Sequence, residues 1–259
     1  MERFLDILAS QFPMITAGLS AGIMVFARVL GFIRFAPIFN RKEINSIVKI
    51  ALTLIFTVIL VVAFKPVNPP QGFSPTLGIV LNLAVGAMIG YMAQLVLIAV
   101  EAGADMMNMQ MGLSSAMVLD PTTQSQTSIL GRFFAFMGIL IFIQVGGLYW
   151  ILRTLIKSFT LFPMYATTIP LDQIVSMNYL IHLSSNVLFM GLQTAAPILL
   201  ATLGQDIILG VISKTAPQVN VFQLSFLFKP VLGAAIMVWI LPMMVNIITD
   251  YFNSFAGAM

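Results

Sequence analysis

Two carboxylates in this sequence are spaced so that they could act together on a cation or a proton. Glu101 and Asp105 are four residues apart, so a helix would place both on one face. Such a pair within the apolar part of a membrane could relay a cation or a proton. The pair could instead mark a helix end that emerges into water, which is the more ordinary place for charged side chains. The sequence leaves both interpretations open.

The chain offers few other groups that an enzyme could use. It has no cysteine, and His182 is its single histidine. These counts exclude disulfides, thiol nucleophiles, iron–sulfur clusters and ordinary zinc sites within the chain. His182 has no acidic residue near it in sequence, which favours a structural or interfacial role. We therefore expect no enzymatic activity, no cofactor and no metal.

Two arginines lie where a charge is costly. Arg28 and Arg34 fall inside a long apolar stretch, where a guanidinium must be paired or hydrated. They could pair with Glu101, with Asp105 or with an acid of another subunit. Alternatively, the stretch does not cross a bilayer in the ordinary way, and the arginines lie at an interface. We therefore expect all four side chains to make buried polar contacts or subunit contacts.

Methionines are concentrated in the segment 106–117. The methionine side chain is flexible and polarizable, so it fills gaps whose shape is irregular or changes. A run of methionines followed by small polar residues could form a deformable closure. The ordinary alternative is packing, because the chain has 18 methionines and some of them must cluster.

The composition indicates the environment in which these residues act. Hydrophobic residues make up 59% of the 259 residues and charged residues only 8%, whereas soluble domains have about 25% charged residues. The mean hydropathy is +1.02. The formal net charge is +3, but the few basic residues form no continuous patch, which excludes nucleic-acid binding. The chain is therefore predicted to be an integral membrane protein.

Six long apolar stretches are separated by polar or proline-rich segments. Each is long enough to cross roughly 30 Å of hydrocarbon as a helix, and none alternates as a barrel strand does. The predicted fold is therefore all-α, and Pro197, Pro230 and Pro242 should bend the last two helices. The stretches are 14–39, 46–64, 76–100, 131–152, 179–203 and 224–250.

The basic residues indicate the orientation only weakly. Alternating spans would leave six of them on one side of the membrane and four on the other. Basic residues favour the cytoplasm, so the small excess assigns Arg41, Lys42, Lys49 and Lys214 to that side. Because the bias is so small, we expect bent hairpins rather than six simple alternating spans.

Three segments resemble signature sequences of the FliR family. The first is ARVLGFIRFAPIF at 27–39, and the second runs from QMGLS at 110–114 to the Asp-Pro at 120–121. The third, GVISKTAPQVNVF at 210–222, is the most specific. In order and spacing these motifs cover nearly the whole chain.

The resemblance implies a structural subunit of the flagellar type III protein export gate, in the bacterial inner membrane within the flagellar basal body. Members of this family assemble with FliP and FliQ into a closed channel for unfolded flagellar proteins, and FlhB associates at the cytoplasmic face. By this likeness, 1–178 would be a FliP-like helical hairpin region and 179–259 a FliQ-like hairpin. The alternative is a polytopic secondary transporter for a small solute that uses Glu101 and Asp105.

The resemblance also implies a plug. In that family a loop of FliR closes the channel, and the matching segment here is 108–125. The candidate plug residues are Met109, Met111, Gly112, Leu113, Ser114, Met117, Asp120 and Pro121. The tip of the C-terminal hairpin is expected to face FlhB in the cytoplasm, with Lys214, Pro217, Gln218 and Asn220.

Overall fold

The computed structural model describes residues 13–41, 43–64, 69–70, 72–113, 129–166 and 177–258, and every regular element in them is a helix. This confirms the predicted all-α class. In chain order the helices are α1 (Pro13–Phe35), α2 (Ser46–Phe64), α3 (Pro75–Gln110), α4 (Ile129–Gln144), α5 (Gly147–Leu161), α6 (Met177–Thr215) and α7 (Val221–Ala258).

Five of these helices are long and apolar enough to cross a membrane within the part of the chain that the structure describes: α1, α2, α3, α6 and α7. Helices α4 and α5 meet the same test only as a pair with a break between them, so up to six segments could cross. The prediction of about six long apolar helical segments is confirmed. Pro197 lies inside α6, and Pro230 and Pro242 lie inside α7, as expected.

One predicted stretch, 131–152, is divided. Helix α4 ends at Gln144 and α5 begins at Gly147. Between them Gly146 has a φ of 81°, and its N–H donates to the carbonyl of Ile143 at 3.0 Å. Glycine adopts a positive φ without steric cost. The sequence stays apolar through this point, but the helix is interrupted.

Helix α3 is longer than its apolar stretch predicted. It contains 36 residues and continues ten residues beyond 100, to Gln110, so the polar interruption expected at 101–130 begins as helix. Ala104, Met107 and Met111 are buried, which keeps one helical face apolar to this point. At about 1.5 Å per residue, the helix is roughly 54 Å long, well beyond the roughly 30 Å of a bilayer core.

The chain divides into two compact units that alternate in sequence. The first unit comprises Met1–Gln94 and Leu148–Leu180, and the second comprises Leu95–Gly147 and Ile181–Met259. Helix α3 therefore contributes residues to both. The expected likeness of 1–178 to FliP and of 179–259 to FliQ concerns relatives rather than compactness, and it stays a prediction.

In the first unit α1 packs on α2 and approaches α3 through glycines. A Cβ atom on Gly86 would meet the carbonyl group of Arg28, and one on Gly31 would meet the carbonyl oxygen of Leu83. Small residues at a crossing let two helix backbones come close. This close approach brings the middle of α1 directly against α3.

In the second unit the last turns of α3 pack on α6 through another glycine contact. A Cβ atom on Gly103 would lie 2.7 Å from the carbonyl oxygen of Gly191. Helices α4 and α7 are joined by Phe142 and Phe252, whose ring centroids are 5.2 Å apart. These contacts hold α3 and α4 against the hairpin of α6 and α7.

Candidate functional site

The most unusual side chain in the first unit is Arg28, which is completely buried in the middle of α1. Its Nε and Nη2 donate to Oδ1 of Asn82 at 3.0 and 2.7 Å. Its Nη1 donates to the carbonyl oxygen and the hydroxyl of Ser158 at 3.0 and 3.2 Å. Nη2 also donates to the carbonyl oxygen of Phe162 at 2.8 Å. The guanidinium carbon lies 4.0 Å from the ring centroid of Phe159.

Two of these acceptors are main-chain carbonyl groups, that of Ser158 in the last turn of α5 and that of Phe162 directly after the helix, and this last turn has no basic residue of its own. The last carbonyls of a helix have no partner within it and carry a negative partial charge. Arg28 supplies the missing cation from another helix. The arginine therefore caps α5 and connects it to α1 and α3.

Asn82 is itself held in place on the other side of its amide. Its Nδ2 donates to the carbonyl oxygens of Gly78 and Met164 at 2.8 and 2.9 Å. This fixes the amide with Oδ1 towards the arginine. The chain after α5 is attached further by Tyr165, whose hydroxyl lies 3.0 Å from Oγ of Ser20.

The two arginines of α1 differ in environment. The acceptors of Arg28 are neutral oxygens, and within the described residues no carboxylate forms an ion pair with it. Amide, hydroxyl and carbonyl oxygens therefore bind Arg28 in place of the carboxylate considered from the sequence. Arg34 is exposed, and its Nη1 donates to Oδ1 of Asn40 at 2.9 Å. A contact of Arg34 with another subunit stays a prediction.

The carboxylate pair lies within α3 and not at its end. Glu101 is half-buried and Asp105 is exposed, and the helix continues for five residues to Gln110. Burial of the intervening Gly103 and Ala104 gives this turn an apolar face beside the acids. The side chain of His182 lies outside the described residues.

The methionines of the segment 106–117 that the structure describes lie on two faces at the end of α3. Met107 and Met111 are buried, whereas Met109 is 72% exposed, because a spacing of four residues preserves the helical face and a spacing of two does not. Gly233 faces Met111 closely enough that an added Cβ would lie 2.6 Å from its Cγ. The buried methionines thus serve packing within the second unit, and Met109 is available to another surface.

A glycine cap determines where the candidate plug leaves α3. Gly112 has a φ of 74°, its N–H donates to the carbonyl of Met109 at 3.1 Å, and the N–H of Leu113 donates to that of Asn108 at 3.2 Å. This pair of bonds with a left-handed glycine is a Schellman motif. The predicted segment 108–125 therefore starts as helix. Its members Ser114, Met117, Asp120 and Pro121 lie outside the described residues.

The expected hairpin tip lies between α6 and α7. Helix α6 ends at Thr215, and Asn220 begins α7 by accepting the N–H of Gln223 on its Oδ1 at 3.2 Å, which is an N-cap contact. Four candidate residues are exposed there. They are Lys214, Pro217, Gln218 and Asn220.

An ion pair between α6 and α7 was missed by the sequence reasoning. Nζ of Lys229 lies 2.7 Å from Oδ1 of Asp206 and 2.9 Å from Oδ2. A signal was present, because the two residues are almost equally distant from the middle of the 216–220 turn and would face one another in a hairpin. The partners of Arg28 had no such signal, since Ser158 is 130 residues away in sequence.

Comparison with known proteins identifies relatives over most of the chain. A family model described as "Bacterial export proteins, family 1" matches residues 19–255. Flagellar biosynthetic protein FliR of Pectobacterium carotovorum is 30% identical over 223 residues, which are 84% of this chain and 83% of the relative. Its counterpart in Escherichia coli is 25% identical over 235 residues, 88% of each chain. Surface presentation of antigens protein SpaR of Shigella flexneri is 24% identical over 211 residues, 81% of this chain and 80% of the relative.

Proposed function

The chain belongs to the bacterial export proteins, family 1, and on that premise we propose that it is a structural subunit of a flagellar type III protein export gate. The observation that carries the proposal is the match over residues 19–255, shared with relatives named as flagellar biosynthetic proteins. No comparison supports the secondary transporter built on Glu101 and Asp105. In the proposed role the chain is not an enzyme: it forms part of a channel wall.

We further propose that the chain lies in the inner membrane and assembles with FliP-like and FliQ-like subunits, with an FlhB-like protein at the cytoplasmic face. The apolar surfaces support this. In the most apolar part of α2, only 17% of the residues are buried within the chain. The corresponding share is 22% in α6 and 22% in α7. Helices this apolar require lipid or other subunits around them.

Co-expression tests the proposed assembly. The full chain should be monodisperse in detergent when it is expressed with FliP-like and FliQ-like subunits, and unstable or heterogeneous when expressed alone. The exposed apolar faces of α6 and α7 give the reason, because detergent replaces a specific protein surface poorly. Elution profiles and thermal unfolding of the two preparations are compared. Equal stability in both would count heavily against a channel subunit.

The proposed plug is the segment 108–125, which closes the channel while export is idle. Its first residues are anchored by the cap at Gly112, so a deletion should spare that residue. Removing 114–119 is expected to leave assembly intact and to make the membrane leaky to small ions. Leakage should require the partner subunits, because the channel is formed jointly. The measurement is conductance of proteoliposomes that contain the complete complex.

A replacement of equal length controls for the length of the segment. Glycine and serine at 114–119 keep the chain length but remove Met117 and the other side chains. If this variant also leaks, the side chains of 114–119 are what closes the channel. If only the deletion leaks, the length of the segment is what closes it. A deletion variant that assembles and conducts at background level would mean that the segment is not the plug.

A further inference from the structure

A cleft of about 620 Å³ opens in the first unit where α1 ends and α2 begins. Binding pockets for small molecules span about 300–1,000 Å³, so the space is large enough for a molecular headgroup. Its polar lining consists of Arg34, Asn40, Ser46, Lys49 and Thr53. None of the candidate plug residues lines this cleft.

The two cations of the cleft have spare donor capacity. Arg34 uses Nη1 on Asn40 at 2.9 Å, and Nζ of Lys49 donates to the carbonyl oxygen of Arg41 at 2.9 Å. A guanidinium has five N–H donors and an ammonium three. Both acceptors are neutral oxygens, and the lining of the cleft contains no acidic residue, so its positive charge is not cancelled there.

The position of Lys49 adds to this positive potential. It lies in the first turn of α2, which contains no acidic residue, although the N-terminal end of a helix favours negative charge. Glu43 is exposed in the preceding loop and is not part of the lining. A lysine at the positive end of a helix is stabilised when an anion lies beside it, so the cleft is suited to an anionic group.

An apolar stripe leads away from the cleft along α2. Ile50 lines the cleft, and Leu54 and Val58 follow at spacings of four residues, which keep the same helical face. These side chains are 49%, 51% and 63% exposed. The cleft therefore combines a cationic end with an extended apolar surface, and a ligand that matches both must be an amphipathic anion.

We propose that this cleft binds an anionic phospholipid of the surrounding bilayer, with the phosphate at Arg34 and Lys49 and an acyl chain along Ile50, Leu54 and Val58. Basic pockets between membrane helices near a leaflet surface commonly accept such headgroups. Free inorganic phosphate shares the charge but cannot use the apolar stripe. The proposal needs only that α1 and α2 lie in a membrane, and it stands apart from the channel role.

Lipid titration of the purified complex tests the site. The full chain, co-purified with its partner subunits in detergent, is titrated with phosphatidylglycerol, phosphatidylcholine or inorganic phosphate and followed by native mass spectrometry. Phosphatidylglycerol should bind saturably and more tightly than phosphatidylcholine, and millimolar phosphate should not displace it. The double variant Arg34→Gln, Lys49→Gln should bind phosphatidylglycerol about 25-fold more weakly, because each basic side chain contributes about fivefold.

A matched control removes the same charge elsewhere in the first unit. Arg153 and Lys157 are exposed on α5 and do not line the cleft, so Arg153→Gln, Lys157→Gln should leave the affinity unchanged. Equal weakening by both double variants would overturn the site, as would equal affinity for the two lipids. Displacement by phosphate alone would reassign the cleft to the free anion and overturn the lipid proposal.

A second variant leaves every charge in place and keeps the test decisive if the double variant does not fold. Ile50→Trp should fill the start of the apolar stripe and weaken phosphatidylglycerol binding. Unchanged binding by this variant would mean that no acyl chain lies there, and the proposal would be wrong.

Discussion

At the scale of single residues, Arg28 shows how a charge can be buried without a carboxylate. It donates five hydrogen bonds, which reach Asn82, Ser158 and Phe162. The planar guanidinium can do this because its donors point in several fixed directions. The dipole of α5 contributes the negative potential that an aspartate would otherwise supply.

Replacing this arginine with lysine should destabilise the protein even though the charge is kept. An ammonium has its donors on a single atom and cannot contact all three partners, so at least one buried acceptor loses its bond. Each such loss costs about 1–3 kcal/mol. We expect Arg28→Lys to lower the thermal unfolding midpoint of the purified complex by several degrees, and Arg28→Met to lower it further.

The control for this prediction is Arg153→Lys, on the exposed face of α5. It makes the same chemical change at an exposed position and should leave the midpoint unaltered. If Arg28→Lys behaves like this control, the geometry of the guanidinium is not what stabilises the first unit.

At the scale of the helices, glycines decide how closely the backbones approach and where helices end. Gly86 permits contact between α1 and α3, while Gly112 and Gly146 terminate α3 and α4 with positive φ angles. Gly18, in contrast, has open space where a Cβ would be. Glycine is therefore required by the packing at some positions in the helices and not at others.

This contrast predicts opposite effects for one substitution. Gly86→Ala would drive a methyl group into the backbone of α1 and should cost about 1–3 kcal/mol. Gly18→Ala meets no neighbour and should be neutral or stabilising by up to about 1 kcal/mol, because alanine favours a helix. Thermal unfolding of the two variants beside the parent provides the measurement. A destabilised Gly18→Ala, or a harmless Gly86→Ala, would contradict the packing described for α1 and α3.

At the scale of the whole molecule, the chain combines two compact units with long apolar helices that it does not cover itself. Trp239 is 83% exposed and Val62 is 74% exposed, both within candidate spans. The polar turn between α6 and α7 is also exposed, with Lys214 in the last turn of α6. We therefore expect this turn to lie at a watery face of the membrane.

The orientation of that turn can be measured directly. We expect 204–223 to face the cytoplasm, because the slight excess of basic residues lies on that side of the predicted topology. Since the chain has no native cysteine, single cysteines at Thr215 and Gln218 can be labelled with a membrane-impermeant maleimide. Labelling should occur in inverted vesicles and not in intact spheroplasts, with the cysteine-free parent as background. Labelling only in spheroplasts would reverse the orientation.

The sequence by itself determined the environment, the helical class and the family. Charged side chains are costly in hydrocarbon, so a membrane protein contains few of them and its composition reveals the environment. Long, continuously apolar stretches have the length of membrane-spanning helices. The motifs at 110–114 and 210–222 are local, so they are read without a structure. The spacing of Glu101 and Asp105 is likewise a property of the chain alone, but the helix that contains both extends further than the apolar stretch 76–100 predicted.

Only the tertiary structure decided which groups meet. Arg28 is satisfied by the end of α5, which is 130 residues away in sequence and becomes an acceptor only after the helix has formed and packed. The break at Gly146 and the extension of α3 to Gln110 depend on a positive φ and on burial, which hydropathy does not measure. The cleft between α1 and α2 likewise exists only once the helices pack, because its cations belong to two helix ends that the sequence separates by a loop.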